Sequence, residues 1–297
     1  MKKGKKISLV LGSGGARGYA HIGVIEELTK RGYEIVSISG SSMGALIGGL
    51  YACGKLDLYK EWVLDLDALD VASLLDISWD LRGFIGGEKV LNKLSQIVGK
   101  QNIEDLPIKF TAVATNLKTN KEVWFQEGDL LKAIRASISI PTFFTPVEMN
   151  GMLLVDGGVL NPLPVAPTMS DHTDMTIAVN LYADVPKPKI ELSKDEEEKQ
   201  SKFEQILNDF LQKAQSFMNF SKEDKESYHV FDIMHMSFEC IQNTMIRYRL
   251  SGYYPDYIIE ISRDVCGAYD FYKAYEVIEA GRVAAREALK NMENKNI

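Results

Sequence analysis

Cysteine, surplus positive charge and long apolar runs are all scarce in this chain of 297 residues. Its three cysteines, Cys53, Cys240 and Cys266, are an odd number without metal-ligand spacing, which favours free thiols in a reducing, cytoplasmic location. The 34 basic and 41 acidic residues give a net charge of -7, which excludes nucleic acid as the main partner because phosphate neutralisation needs clustered surplus Lys and Arg. No window approaches the roughly 20 apolar residues of a membrane span, and the lysine-rich start lacks the apolar core of a secretory signal.

Short apolar segments with strand composition alternate with segments of helical periodicity. Residues 7–11 are rich in β-formers and stop at Gly12, after which apolar residues recur at helical spacing over 20–31. A second strand over 35–39 leads into a mostly buried helix that begins near Met43. Because a helical connection between adjacent strands makes them parallel, the sequence predicts an α/β fold. Further strands are predicted at 109–115, 122–125, 153–155, 175–180 and 257–261, with helices between them and a closing helix over 271–292.

The strongest local motif is Gly40-Ser41-Ser42-Met43-Gly44, a G-x-S-x-G sequence between a predicted strand and a predicted helix. On so sharp a turn the serine is pushed clear of the backbone. Glycine is needed on both sides because a Cβ there would collide with the adjacent strand or helix. The partial positive charge at the start of the next helix favours a developing oxyanion. The motif predicts Ser42 as a nucleophile, and a simple tight turn is the alternative interpretation.

A glycine-rich loop, Gly12-Ser13-Gly14-Gly15-Ala16-Arg17-Gly18, follows the first predicted strand. It is not a dinucleotide-binding loop, because G-x-G-x-x-G would need glycine where Arg17 stands, and it lacks the Gly-Lys-Ser/Thr ending of a P-loop. Its amides are unobstructed and its strand neighbours the one that carries Ser42. We therefore expect an oxyanion hole, in which each donor contributes about 2.7 to 4 kcal/mol to acyl transfer. Arg17 has three interpretations: it steadies the loop, binds a phosphate group of the substrate, or forms a structural salt bridge.

An aspartate ends another short apolar strand, in Val155-Asp156-Gly157-Gly158. The two glycines permit a tight turn that places the carboxylate in the strand-end crevice expected for Ser42, although Asp-Gly-Gly is also a common plain turn. None of the four histidines stands in these motifs, so a carboxylate has to take the serine proton itself. Because an aspartate with the ordinary pKa of about 3.9 is a poor base, we expect Asp156 to be partly buried and to accept the Ser42 hydroxyl directly.

Together these motifs resemble those of the patatin-like phospholipase family, and among them the bacterial members similar to the catalytic domain of neuropathy target esterase. The resemblance covers residues 5–183 well and 228–290 loosely, and it includes the runs Arg135-Ala-Ser-Ile-Ser-Ile-Pro and Asn161-Pro-Leu-Pro. It implies a three-layer α/β/α sandwich with a mainly parallel central sheet. It also implies hydrolysis of phospholipid or lysophospholipid acyl esters with no metal or other cofactor.

The resemblance further implies roles for individual residues. Ser42 would be the nucleophile and Asp156 the second member of a catalytic dyad, which forms an acyl-enzyme and then activates water. Ser13 stands where glycine is frequent in the family's loop, a change that a small side chain tolerates. The implied oxyanion donors are the backbone amides of Gly14, Gly15, Ala16 and Met43.

The composition changes over residues 186–227, where two prolines lead into an acidic run and a highly charged helical stretch. We expect a single hydrolase domain over residues 1–297, with 186–227 as a helical excursion or lid within it. Residues 203–218 have one apolar face, explained by packing on the core, by a lid or membrane-contacting helix, or by a homodimer interface. The acidic flanks disfavour stable binding to anionic bilayers, so membrane contact would be transient and peripheral.

Chemistry at Ser42 does not dictate the leaving group or the acceptor. A general carboxylesterase, a thioesterase or an acyltransferase with the same dyad is therefore an alternative to the lipid hydrolase. A non-catalytic lipid-binding protein is a further alternative, against which the intact Ser42, Asp156 and glycine loop argue. The sequence predicts a cytoplasmic serine acyl-ester hydrolase that acts on lipid.

Overall fold

A computed structural model describes residues 4–66, 70–71, 88–141, 144–194, 196–198, 201–202 and 230–294. The predicted amphipathic stretch over 203–218, and with it most of the predicted excursion, lies outside the described residues.

Within the described residues, eight strands form one mixed, mainly parallel sheet. They are β1 Lys6–Leu11, β2 Glu34–Ser41, β3 Lys109–Asn116, β4 Lys121–Phe125, β5 Val147–Met149, β6 Met152–Asp156, β7 Met175–Ala183 and β8 Tyr257–Ser262. Hydrogen-bonded neighbours follow the order β5-β6-β3-β2-β1-β7-β8, with β4 also paired to β3. Strands β8, β7, β1, β2 and β3 are mutually parallel, whereas β4, β5 and β6 pair in antiparallel fashion. The seven predicted strands are confirmed, and β5 was not predicted.

The α-helices that the structure describes are α1 Ala20–Lys30, α2 Met43–Ala52, α3 Leu56–Asp65, α4 Glu88–Val98, α5 Leu130–Ser137, α6 Val230–Gly252 and α7 Ala274–Asn294. Helices α1 and α2 begin where the sequence predicts. The predicted closing helix consists of a 3-10 turn over Phe271–Lys273 followed by α7. None of the helices in the described part of the chain is long and apolar enough to cross a membrane.

Helices cover both faces of the sheet, as predicted for an α/β/α sandwich. On one face Ile7, Leu9 and Leu11 of β1 belong to a large core shared with α1, α2 and α7. On the other face Val10 of the same strand belongs to a smaller core that includes Ile246 of α6. A parallel sheet buried on both faces explains why β1 is nearly continuous in apolar residues instead of alternating with polar ones.

The carboxyl ends of β1 and β2 lie side by side, because Leu11 pairs with Gly40 near the ends of the two strands. The glycine loop follows β1 and the G-x-S-x-G turn follows β2. Both predicted motifs therefore lie at one edge of the sheet, outside the carboxyl ends of its parallel strands, where α/β folds usually bind ligands.

Candidate active site

Ser42 occupies a strained turn between β2 and α2. Its backbone has φ 56° and ψ −125°, a region that costs a non-glycine residue about 1 to 3 kcal/mol. The flanking glycines are required by close approach: a Cβ on Gly40 would lie 2.4 Å from the Gly44 carbonyl, and a Cβ on Gly44 would lie 2.0 Å from the Leu11 carbonyl oxygen. The turn therefore has the strand-to-helix geometry that the G-x-S-x-G motif predicts.

Strand β3 explains how Ser42 meets a residue 114 positions away in the chain. One edge of β3 is occupied by β4, so β2 and β6 share the other edge. Strand β2 runs along that edge up to the pair Ser41–Val113, and β6 arrives from the opposite direction and ends at the pair Asp156–Ala114. Because Val113 and Ala114 are consecutive, the ends of β2 and β6 face each other.

The side chains of Ser42 and Asp156 form a direct hydrogen bond. Ser42 Oγ donates to Asp156 Oδ2 at 2.5 Å, and the Gly158 N–H donates to Asp156 Oδ1 at 2.7 Å. Both side chains are shielded from bulk water, each residue being 1% exposed, so Asp156 is fully buried and not partly buried as expected. Burial raises the pKa of Asp156 to about 7, while the hydrogen bonds from Ser42 and Gly158 act in the opposite direction. This carboxylate can take up and release a proton near neutral pH.

Two serines at the carboxyl end of α5 hold the backbones of this pair. Ser137 Oγ accepts the Ser42 N–H at 2.9 Å and donates to the Val113 carbonyl at 2.6 Å. The Ser139 carbonyl accepts the Asp156 N–H at 2.9 Å. Neither serine was assigned a role from the sequence, although the Ala-Ser-Ile-Ser-Ile-Pro run that contains them belonged to the family resemblance.

Replacing Ser137 with alanine is expected to disturb the turn that carries Ser42. The Ser42 N–H would lose its acceptor in a buried site, which costs about 1 to 3 kcal/mol of stability. We expect kcat for a p-nitrophenyl ester to fall about tenfold with little change in KM, because a displaced nucleophile loses its alignment.

The control for this variant is Thr29→Ala, which removes a hydroxyl bonded to the Ile25 carbonyl at the exposed end of α1. It should leave both thermal unfolding and kinetics close to wild type. If Ser137→Ala behaves like this control in both measurements, the bond to Ser42 does not hold the turn.

The glycine loop packs directly on the start of α2, since a Cβ on Gly18 would lie 2.3 Å from Met43 Cβ. The backbone N–H groups of Gly14, Gly15 and Met43 donate to no other group in the described part of the chain. The Ala16 N–H, in contrast, donates to the Ala268 carbonyl at 2.8 Å. The prediction that Ala16 is an oxyanion donor is therefore wrong for this loop conformation, because its hydrogen is already used.

A histidine outside the motifs holds the start of the glycine loop. His21 of α1 is buried and its Nε2 lies 2.8 Å from the Gly12 carbonyl oxygen. Burial lowers the pKa of His21 to about 4, against the opposing effect of the bond to Gly12. The ring is therefore neutral at pH 7, and Nε2 carries the hydrogen because a carbonyl only accepts. The hydrogen bond of His21 is to the loop backbone, and its other ring nitrogen, Nδ1, has no hydrogen-bond partner among the described residues.

Arg17 contacts three residues that lie far from it in the sequence. It forms an ion pair with Glu239 of α6, its Nε donates to the Cys266 carbonyl at 3.1 Å, and its guanidinium lies 5.0 Å from the centre of the Tyr182 ring. The residue is 4% exposed. Of the three interpretations of Arg17, these contacts favour a salt bridge that steadies the loop over a site for a substrate phosphate.

The fold and the site define an α/β protein with a buried serine at a sharp, strained strand-to-helix turn. The model of the family described as patatin-like phospholipase matches residues 9–169, more than half of the chain. The chain belongs to this family. The resemblance inferred from the motifs is confirmed, and membership supports a lipid esterase or phospholipase activity.

Three similar proteins extend this comparison. An uncharacterised NTE family protein of Mycobacterium tuberculosis is 38% identical over 338 aligned positions, which cover 97% of this chain and 92% of that protein. The lysophospholipase NTE1 of Candida glabrata is 30% identical over 186 positions, 60% of this chain and 10% of that protein. The patatin-like phospholipase domain-containing protein 7 of Rattus norvegicus is 31% identical over 185 positions, 60% of this chain and 14% of that protein.

Proposed function

We propose that this protein hydrolyses fatty-acyl esters of phospholipids or lysophospholipids through a catalytic dyad of Ser42 and Asp156. The observation that carries the proposal is the 2.5 Å hydrogen bond from Ser42 Oγ to a buried Asp156, at a strained turn. The glycine loop beside it has backbone N–H groups that donate to no residue the structure describes. The name of the Candida glabrata relative, a lysophospholipase, supports the substrate class. The dyad needs no third residue, because the pKa of Asp156 is raised to about 7 by burial.

In the first half-reaction Ser42 Oγ attacks the acyl carbonyl carbon while its proton passes to Asp156 Oδ2. The carbonyl oxygen becomes an oxyanion, for which the amides of Gly14, Gly15 and Met43 are the proposed donors. When this intermediate collapses, the bond to the leaving alcohol breaks and the alcohol oxygen takes the proton from Asp156. Because Ser42 is 1% exposed, neighbouring groups have to move before an ester carbonyl reaches Oγ.

In the second half-reaction a water molecule gives a proton to Asp156 and its oxygen attacks the acyl carbon. Collapse breaks the bond between the acyl carbon and Ser42 Oγ, which recovers the proton from Asp156. The products are a fatty acid and the resting enzyme, so the kinetics should be of the ping-pong type.

The proposed base makes the reaction pH-dependent. Asp156 has to be ionised to accept the serine proton, so kcat/KM for a p-nitrophenyl ester should fall as pH drops through about 7, the pKa to which burial raises this carboxyl. At about pH 5 the rate should be roughly 100-fold below its plateau, since about one molecule in a hundred is then ionised. Circular dichroism at each pH controls for unfolding. A flat profile down to about pH 4 in a folded protein would rule out Asp156 as the base.

The substrate class is tested by measuring fatty acid released from a lysophospholipid, a diacyl phospholipid, an acyl-CoA thioester and a p-nitrophenyl ester, with Ser42→Ala as the blank. We expect release from the phospholipid esters well above the blank. Turnover of only the thioester, or of only the short p-nitrophenyl ester, would replace the lipid substrate with one of the alternative acyl substrates. Transfer of the acyl group to an added alcohol in place of water would indicate an acyltransferase.

We also propose that the protein acts in the cytoplasm with transient contact to the membrane surfaces that hold its substrate. The free thiols of Cys53, Cys240 and Cys266 support a reducing compartment. Sedimentation with neutral phosphatidylcholine vesicles should show weak, reversible binding. Tight binding that survives repeated washing would contradict transient contact.

A further inference from the structure

One face of α6 contacts both loops of the proposed active site. Glu239 pairs with Arg17 and Gln242 bonds to Ser13, and these two partners belong to the glycine loop. Arg249 donates to a carbonyl in the loop that follows β6. The spacing of these three helix residues places them on the same side of α6. A helix distant in sequence from every motif thus reaches the residues around Ser42 and Asp156.

Gln242 is the most buried of these contacts, at 1% exposure. Its Nε2 donates to Ser13 Oγ at 3.1 Å, and its Oε1 accepts from the Tyr182 hydroxyl. Burial raises the pKa of Tyr182 well above the ordinary value, so this hydroxyl keeps its hydrogen and acts as the donor. The amide oxygen has to face Tyr182 for that reason, and the amide nitrogen is then directed at Ser13.

The same amide borders the turn that follows Asp156. A Cβ built on Gly158 would lie 2.1 Å from Gln242 Nε2, 2.7 Å from Ser13 Oγ and 3.0 Å from Asp156 Oδ1. These three polar atoms therefore surround the α-carbon of Gly158, whose own N–H donates to Asp156. A side chain at this position would have to displace the Gln242 amide, which shows how closely Gln242 approaches the turn after Asp156.

We infer that Gln242 is a positioning residue for the proposed reaction: it holds Ser13, and with it the glycine loop, in the catalytic arrangement. The inference rests on the proposed function. Gln242 is hydrogen-bonded to Ser13 and Tyr182 and not to Ser42 or Asp156, so it acts through Ser13, which directly precedes the proposed amide donors of Gly14 and Gly15. The Ser13 hydroxyl is the acceptor for the Gln242 amide nitrogen.

The test variant is Gln242→Met, whose side chain has a similar length and volume but forms neither of the two hydrogen bonds. We expect kcat for a p-nitrophenyl ester to fall about tenfold to a hundredfold while KM changes less than about threefold, because misplaced donors affect the transition state more than binding. The control is Ile246→Ala, which shortens a buried side chain one turn further along α6. It should lower Tm and leave kcat of the folded protein unchanged.

A double-mutant cycle of Gln242→Met and Ser13→Gly tests whether Gln242 affects kcat through Ser13. If Gln242 acts through Ser13, then Gln242→Met should cost much less in a Ser13→Gly background, less than about threefold, because the partner hydroxyl is already gone. Losses that multiply across the two sites would overturn the inference. An unchanged kcat in Gln242→Met would also overturn it. The same holds if Ile246→Ala, at the same Tm as Gln242→Met, loses as much kcat as Gln242→Met does.

Wild type and Ser42→Ala, measured in the same assay, separate this inference from the proposed function. If wild type hydrolyses the ester, Ser42→Ala does not, and Gln242→Met equals wild type, the positioning role alone is refuted. If wild type is no more active than Ser42→Ala, the proposed function is refuted and the positioning role with it.

Discussion

Ester hydrolysis by the Ser42→Ala variant is expected to fall to the background rate, a loss of about 10⁴- to 10⁶-fold in kcat. Such losses occur when the nucleophile of a serine hydrolase is removed, because the acyl-enzyme can no longer form. The substitution removes only the hydroxyl and leaves the backbone of the turn intact, so the variant should remain folded. The measurement is release of p-nitrophenol under saturating ester, with circular dichroism to verify folding.

Ser41→Ala is a closely matched control. Ser41 precedes Ser42 in the same motif and is equally buried, but its Oγ makes no hydrogen bond to any residue that the structure describes. We expect this variant to retain wild-type kcat within about threefold, since no interaction of the hydroxyl is lost. Activity in folded Ser42→Ala as high as in Ser41→Ala would show that Ser42 is not the nucleophile.

Asp156→Asn is expected to have the second largest effect on activity, a loss of about 10³- to 10⁴-fold in kcat. An amide has the same shape as the carboxyl and still accepts from Gly158 through its oxygen, but it cannot take a proton from Ser42. The double variant with Ser42→Ala should be no worse than Ser42→Ala alone, because residues that act as a unit are not additive. A further loss in the double variant would mean that Asp156 has an effect independent of Ser42.

The same substitution should stabilise the folded protein above neutral pH. Burial raises the pKa of Asp156 from 3.8 to about 7, so the native state holds a proton that the unfolded chain releases between these two values. The contribution of Asp156 to the free energy of unfolding is therefore at its most favourable below pH 3.8 and is lost as pH rises through about 7. Because asparagine cannot ionise, Asp156→Asn should exceed wild type by about 2 to 4 kcal/mol in free energy of unfolding at about pH 8, and by little at about pH 4.

Asp184→Asn controls for a simple change of charge, because Asp184 is exposed and lies outside the site. It should leave activity and the pH dependence of unfolding unaltered. A difference in stability between Asp156→Asn and wild type that is the same at both pH values would show that Asp156 is not buried as a carboxylate in solution.

Much of the fold could be predicted from local patterns. The strands β1, β2, β3 and β7 are rich in β-forming residues and are buried along most of their length. Strand β5 was missed because Val147–Met149 is short and only partly buried. The Asn150-Gly151 pair that follows it, both with positive φ, is a strong hairpin indication that would have found β5.

The site was only partly predictable, for a physical reason. The motifs that contain Ser42, Asp156 and the glycine loop form tight turns. Such turns require glycine, and the glycines can be recognised in the sequence. Ser137, His21 and Gln242 form hydrogen bonds to backbone groups or to the hydroxyls of residues distant in sequence, and such contacts leave no local pattern. The use of the Ala16 amide by the Ala268 carbonyl likewise depends on a loop more than 200 positions away and could not be read from the motif.

The most direct test of the proposed dyad is to treat the folded protein with a fluorophosphonate and to locate the adduct by mass spectrometry. We predict a single adduct on Ser42, formed rapidly in wild type, slowly in Asp156→Asn and not at all in Ser42→Ala. An adduct on another residue, equal labelling of Ser42→Ala, or no labelling of folded wild type would contradict the assignment of Ser42 as nucleophile.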